Sequence, residues 1–298
     1  MTDNQIYGRG WILAALMLTM MLAAMDSTII STAIPHIVSS LGGFNKFSWV
    51  FSIYLLAQTV TIPIYGKITD LYGRKKILLF GIFVFLLGSL LSGSAWNIES
   101  LIFFRGIQGI GAGSMMATVN TIAGDIYSVE ERAKIQGFLS SIWGISAILG
   151  PAIGGTLAEY ANWRWIFLIN LPIGAISIYV IYNFFKEKIV PINPKIDYKG
   201  LFFILSSLIL FFIFLLEGGQ SWQWISAPSI ILFILFIIST IISFIIESKS
   251  EDAILPMWLW QDRTFAFTNL AMIGMGIVMI GPEIFLPTFA QTSLGLGA

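Results

Sequence analysis

In 298 residues, 57% are hydrophobic and only 11% are charged, and 16 Lys+Arg balance 16 Asp+Glu, with a mean hydropathy of +0.86. A soluble domain carries about 25% charged residues, so this chain cannot be wetted all round, and its neutral balance argues against a nucleic-acid partner. The absence of Cys excludes disulfides and thiolate metal sites, and the single His36 cannot form a metal site by itself.

A bilayer core about 30 Å thick needs roughly 20 apolar residues per helix. Stretches of that length recur near 11–36, 47–68, 77–95, 101–125, 134–158, 165–185, 200–217, 229–246 and 265–290, which predicts an all-α integral membrane protein of about nine spans. The first stretch lacks a charged n-region of the cleavable kind and is too long for a signal h-region, so it reads as a retained helix. Placing the N-terminus inside puts thirteen Lys and Arg in the inner segments, from Arg9 through Lys67 and Arg74 to Lys249 and Arg263. The outer segments hold only Lys46 and Arg164, and Arg105 falls within a span. This positive-inside bias predicts a multi-pass cell-membrane protein with a cytoplasmic N-terminus and Ala298 on the outer side.

Taken in chain order, the polar residues that interrupt the apolar spans are few. Asp26 lies about midway along the first. An ionised carboxylate there costs several kcal/mol unless it is paired or hydrated, which makes it a candidate for taking up and releasing a proton; the bland alternative is a structural Asp satisfied by Ser27, Thr28, Ser31 and Thr32. Between the second and third spans, GKITDLYGRKK (66–76) carries Lys67, Asp70, Arg74, Lys75 and Lys76. A loop that only anchored topology would need the bases but not Asp70, Gly66 or Gly73; an Asp there can pair with a base or a helix N-terminus, and a Gly permits a tight turn or a close backbone approach. Arg105 opens RGIQGIGAG (105–113) near the start of the fourth span. It either tunes a carboxylate or orders water, or it snorkels to the surface. Gly109 with Gly113, and Gly150 with Gly154 in GISAILGPAIGG (144–155), are small-xxx-small pairs that let helices cross closely, and Pro151 removes a helical hydrogen bond. Glu283, in MIGPEIFLPTF, is an acid within the last span and so a functional candidate by default, with a position near the outer headgroups as the alternative. Trp222, Trp224 and Trp258 sit at span ends, as interfacial aromatics do.

These segments carry a resemblance. The pattern G-x-x-x-D-x-x-G-R-K formed by Gly66, Asp70, Gly73, Arg74 and Lys75 resembles the signature loop of the major facilitator superfamily. The segment around Asp26 and Pro35, RGIQGIGAG, GISAILGPAIGG with Gly144, Gly150, Pro151, Gly154 and Gly155, and WRWIFLINLPIG (163–174) are similar to motifs of its 14-helix drug–proton antiporter branch. The resemblance implies a six-helix bundle over 1–185, a cytoplasmic linker over 186–199, a central two-helix insertion over 200–264, and the first helix of a second bundle over 265–298. It implies proton-coupled export of small amphipathic or cationic compounds, with Asp26 and Arg105 as proton-coupling candidates and residues 66–75 as a cytoplasmic gate; Glu283, which no motif places, is a third candidate only as an acid within a span. The proton gradient supplies the energy, and no cofactor or metal is expected.

Five further helices would normally follow such a segment. One bundle, a central pair and one extra helix provide a single wall of the midplane cavity that alternating access needs, so these residues by themselves are expected not to transport. Alternatives remain open at this level: a non-transporting remnant or assembly partner of a missing C-terminal half, or an uptake symporter, which the resemblance at 144–155 disfavours. Nothing resembles a catalytic set, and the ATP-binding pattern G-x-x-x-x-G-K-[ST] is absent, so the chain is not read as an enzyme. Its expected partners are a small-molecule substrate and the lipid bilayer.

Overall fold

Local sequence sets the helix boundaries. Asn97 accepts a hydrogen bond from the Ser100 N–H (2.7 Å), and the Ser100 hydroxyl is returned to the Asn97 N–H, which opens α4 (Ile98–Ile126) with a capping box. Ser128 and Glu131 do the same for α5 (Val129–Tyr160). Gly73, at φ +88°, ends one helix and starts the next, a conformation open to Gly because it has no Cβ.

A computed structural model describes residues 4–187, 197–219, 221–250, 253–254 and 257–293, with the side chains of those from Gly8 through Gly276 except Met257, and of Val278 and Phe289 beyond. Among the described residues the regular elements are all helical. Each of the nine expected spans falls on a helix: α1 (Asn4–Leu41), α2 (Phe47–Tyr72), α3 (Arg74–Gly93), α4, α5, α6 (Trp165–Leu168) with α7 (Asn170–Phe184), α8 (Tyr198–Glu217), α9 (Ala227–Glu247) and α10 (Arg263–Ser293). The stretch 165–185, read as one helix from sequence, is interrupted at Ile169. Pro172 has no N–H to give to the Leu168 carbonyl, which weakens the helix there.

Seven described segments are long and apolar enough to cross a membrane, so the chain is a multi-pass membrane protein. α4 is not among the seven. It carries Arg105, Gln108 and a run of glycines, and it buries most of its residues from Ile98 to Ala123 while one face, with Phe103 and Ile110, stays exposed. Its polar residues Arg105 and Gln108 lie on the buried side, so only the uncovered face needs to be apolar.

The chain divides into two units, one built on α1–α7 and one on α8 and α9. In the first, two apolar clusters form the interior. One contains Leu22, Tyr54, Phe85, Ala112 and Val180, the other Ile29, Val50, Ala95, Phe104 and Phe167. Along α1, α3, α4 and α7 the residues between these clusters are Asp26, Ser89, Arg105 with Gln108, and Asn170. A polar layer therefore lies between two apolar ones. In the second unit α8 and α9 pair directly. Ser239 donates to the Phe203 carbonyl at 3.0 Å, and Phe211 lies against Phe236 with ring centroids 4.9 Å apart.

Candidate functional site

The polar layer is sealed. Asp26 and Arg105 are both 0% exposed, and the Arg105 Nη1 donates to Asp26 Oδ2. The other carboxylate oxygen, Oδ1, accepts from Gln108 Nε2 (2.7 Å) and from Asn170 Nδ2 (3.2 Å). Arg105 also donates from Nη1 to Gln108 Oε1 (2.8 Å) and from Nε to the Val50 carbonyl (3.2 Å). Its guanidinium lies 4.1 Å from the centroid of the Tyr54 ring, where the ring face attracts a cation strongly when water is excluded. Tyr54 in turn donates to the Ala23 carbonyl, 3.2 Å away on α1. Asn170 carries the network to α3 by donating to Ser89 Oγ (3.0 Å), and Ser89 donates to the Phe167 carbonyl (2.8 Å).

Thus α4 and α7 converge on the α1 carboxylate, and α2 and α3 join the network through Arg105 and Asn170. A buried ion pair persists only where further hydrogen bonds replace the lost hydration, and Gln108 and Asn170 supply them. The row of hydroxyls after Asp26 does not. Ser27 donates to Ala24, Thr28 to Met25 and Ser146, Ser31 to Thr28, and Thr32 to Ile29 and Pro151, all at backbone carbonyls. Nor does Arg105 snorkel, since it lies fully inside. Sequence reasoning named Asp26 and Arg105 but missed their partners. A signal existed for Gln108, which lies three residues after Arg105 and so on the same helix face. Nothing local ties Asn170 to Asp26, 144 residues away.

A second charged cluster sits at the α2–α3 turn. Arg74 approaches Asp70 at 3.8 Å one turn earlier and Asp125, at the end of α4, at 2.8 Å. The Arg74 Nε is not aligned for a hydrogen bond, so the contact with Asp125 is one of charge. Lys75 reaches across to α7, donating from Nζ to the Tyr182 carbonyl (2.7 Å). The glycines of the loop behave differently from one another. Gly73 makes the turn, whereas Gly66 is exposed and a Cβ there would meet nothing within 4 Å, so it is not a point of close backbone approach among the described residues.

The remaining glycines divide in the same way. A Cβ on Gly109 would lie 2.4 Å from the Tyr54 carbonyl oxygen and one on Gly113 2.7 Å from that of Gln58, both on α2. Gly111 between them faces α3 instead, 2.3 Å from the Phe85 nitrogen. Gly150 and Gly154 press α5 onto α1 at Thr28 and Ile29, and Gly155 beside them is buried. Pro151 lies inside the uninterrupted α5. Gly144 has nothing within 4 Å of a Cβ and is exposed, so the expected packing role is absent there among the described residues. Glu283 falls on α10, and its side chain lies outside the described residues. A cavity of about 350 Å³ opens between α4 and α5, lined by Asn120, Gly124, Arg132 and Gln136 among others; none of the polar layer lines it.

The Major Facilitator Superfamily model matches residues 16–298. The chain belongs to the major facilitator superfamily. Two relatives in Bacillus subtilis (strain 168), Multidrug resistance protein 3 and Multidrug transporter protein MdtP, are each 38% identical to it, over 288 and 292 residues. The matches cover 97% of this chain and 56% and 54% of those proteins. Efflux pump dotC of Dothistroma septosporum is 34% identical over 291 residues, 95% of this chain and 50% of that one. The chain spans about half the length of the curated relatives it matches. A solved peptide transporter POT in complex with sulfate superposes with a TM-score of 0.58 at 17% identity, covering 80% of this chain and 53% of its own. A D-xylose-proton symporter superposes at 0.50 with 14% identity, covering 78% and 66%. Such identities establish the major facilitator fold alone. The family is one of transmembrane transporters, and the chain is not an enzyme.

Proposed function

We propose that this bundle works in a proton-driven exporter of small amphipathic or cationic compounds, with Asp26 the group that carries the proton. The observation that carries the reading is the sealed Asp26–Arg105 pair. Arginine stays protonated in proteins, so within the pair only Asp26 can change charge. While Asp26 is ionised, Arg105, Gln108 and Asn170 hold it and tie α1 to α4 and α7. A proton on Asp26 leaves Arg105 as an uncompensated buried cation, which favours a rearrangement that rehydrates the layer. Export rather than uptake is supported by the printed names of the relatives and by the α5 segment 144–155.

The cluster at 66–76 is the cytoplasmic gate in this reading, and the N-terminus is cytoplasmic, as the distribution of Lys and Arg supports. One six-helix bundle walls one side of a midplane cavity, so these 298 residues reconstituted by themselves move no substrate and work with a second bundle. In the two-bundle transporter, Asp26→Asn abolishes export of a cationic dye driven by an imposed proton gradient while dye binding persists. Full gradient-driven export by Asp26→Asn would overturn the assignment.

A further inference from the structure

α3 begins with Arg74, Lys75 and Lys76 and has no acid in its first turn. Three bases at the positive end of a helix dipole oppose it, and the N-cap is Gly73, which has no side chain to satisfy the first amides. The missing acid comes from elsewhere in the chain. Glu187, three residues beyond α7, accepts the Arg74 N–H on Oε1 and the Lys75 N–H on Oε2, both at 2.9 Å. Asp70 and Asp125 approach the Arg74 side chain; Glu187 is the carboxylate that holds the backbone.

The same two helices are joined at their other ends. Asn170, the first residue of α7, donates to Ser89 of α3, and Ser89 donates to the Phe167 carbonyl just before α7. Asn170 is also the α7 contact to Asp26. One helix therefore touches the buried carboxylate at its start and caps the loop helix just past its end.

We propose that Glu187 is a positioning residue of the loop at 66–76, closing a two-ended clasp that makes α3 move with α7 and so with the Asn170–Asp26 contact. The clasp is a statement about this bundle; its role in gating rests on the proposed function above.

Hydrogen–deuterium exchange on the 298-residue chain in lipid nanodiscs reads the clasp without any transport. In Glu187→Ala the amides of Arg74 and Lys75 exchange about tenfold faster, the scale of a lost helix N-cap, while those around Gln108 on α4 stay protected. Glu187→Asp recovers part of the protection. Should Glu187→Ala lose protection on α4 as well, the near-isosteric Glu187→Gln is read in its place, with faster exchange confined to Arg74 and Lys75 expected. Unchanged exchange at these two amides in the folded variant overturns the clasp, whatever dye export shows. In the two-bundle transporter, Glu187→Ala lowers the maximal export rate and leaves the half-saturating dye concentration unchanged, and Glu187→Asp restores the rate. If Asp26→Asn exports normally while the amides still respond to Glu187, the clasp stands and only the proton-coupled reading fails.

Discussion

The α1–α7 unit and the α8–α9 pair meet the same solvent problem in opposite ways. α9 is the most apolar span, with a mean hydropathy of 3.0 over its best window and 17% of that window buried within the protein; α8 has 2.5 and 11%. α1 has 1.8 and 67%. Little of the pair's surface is buried within the protein, and the buried polar residues of α9 are Ser229, Ser239, Ser243 and Glu247. In the bundle the inner sides of α1 and α4 are covered by other helices, so a carboxylate, a guanidinium and two amides can meet at its centre. The most apolar spans are the least buried, and the chemistry sits on the well-buried α1.

Breaking the bundle's polar layer tests that contrast most severely. Arg105→Ala leaves Asp26 buried without its counter-charge and costs about 3–5 kcal/mol, read as a loss of thermal stability in detergent. Replacing both partners by apolar residues in Asp26→Leu/Arg105→Met recovers most of it, because no charge is then left unpaired. Gly154→Val comes next. Its Cβ falls 2.2 Å from the Ile29 carbonyl oxygen, and overpacking at the α1–α5 contact costs about 1–3 kcal/mol. Gly144→Ala on the same helix meets nothing and stabilises by roughly 0.5–1 kcal/mol through helix propensity; equal effects of the two substitutions would show that these glycines do not differ in packing. The smallest effect belongs to the α8–α9 pair. Ser239→Ala removes one interhelical hydrogen bond, at 3.0 Å to Phe203, and costs about 0.6 kcal/mol. A loss as large as that of Arg105→Ala would mean that α8 and α9 depend on polar contacts as the bundle does.

Sequence patterns made most of the fold legible because a bilayer restricts the choices. Apolar runs long enough to span the hydrocarbon must be helical, and all nine fall on helices. The least apolar of the long helices, α4, was still found, since its Arg and glycines interrupt an otherwise apolar run. The interruption at Ile169 was missed because Pro172 lies inside an apolar stretch that length alone assigns to one helix.

The candidate site was half legible. Asp26 and Arg105 stand out because charge inside a span is rare, and the loop at 66–76 because its charge is concentrated. Their partners are ordinary residues by composition. Asn170, Ser89 and Tyr54 acquire a role only from being near the ion pair, and Glu187 looks like one charge of a linker until it is placed against α3.

What the sequence determined by itself is the class, the placement of the nine apolar spans and the candidacy of Asp26 and Arg105, because each follows from the local cost of polar groups in hydrocarbon. What only the tertiary structure decided is which residues satisfy those charges, which glycines are contacts, and which acid completes the start of α3. Those depend on chain segments 26 to 144 residues apart, and no local free-energy term reports such a distance.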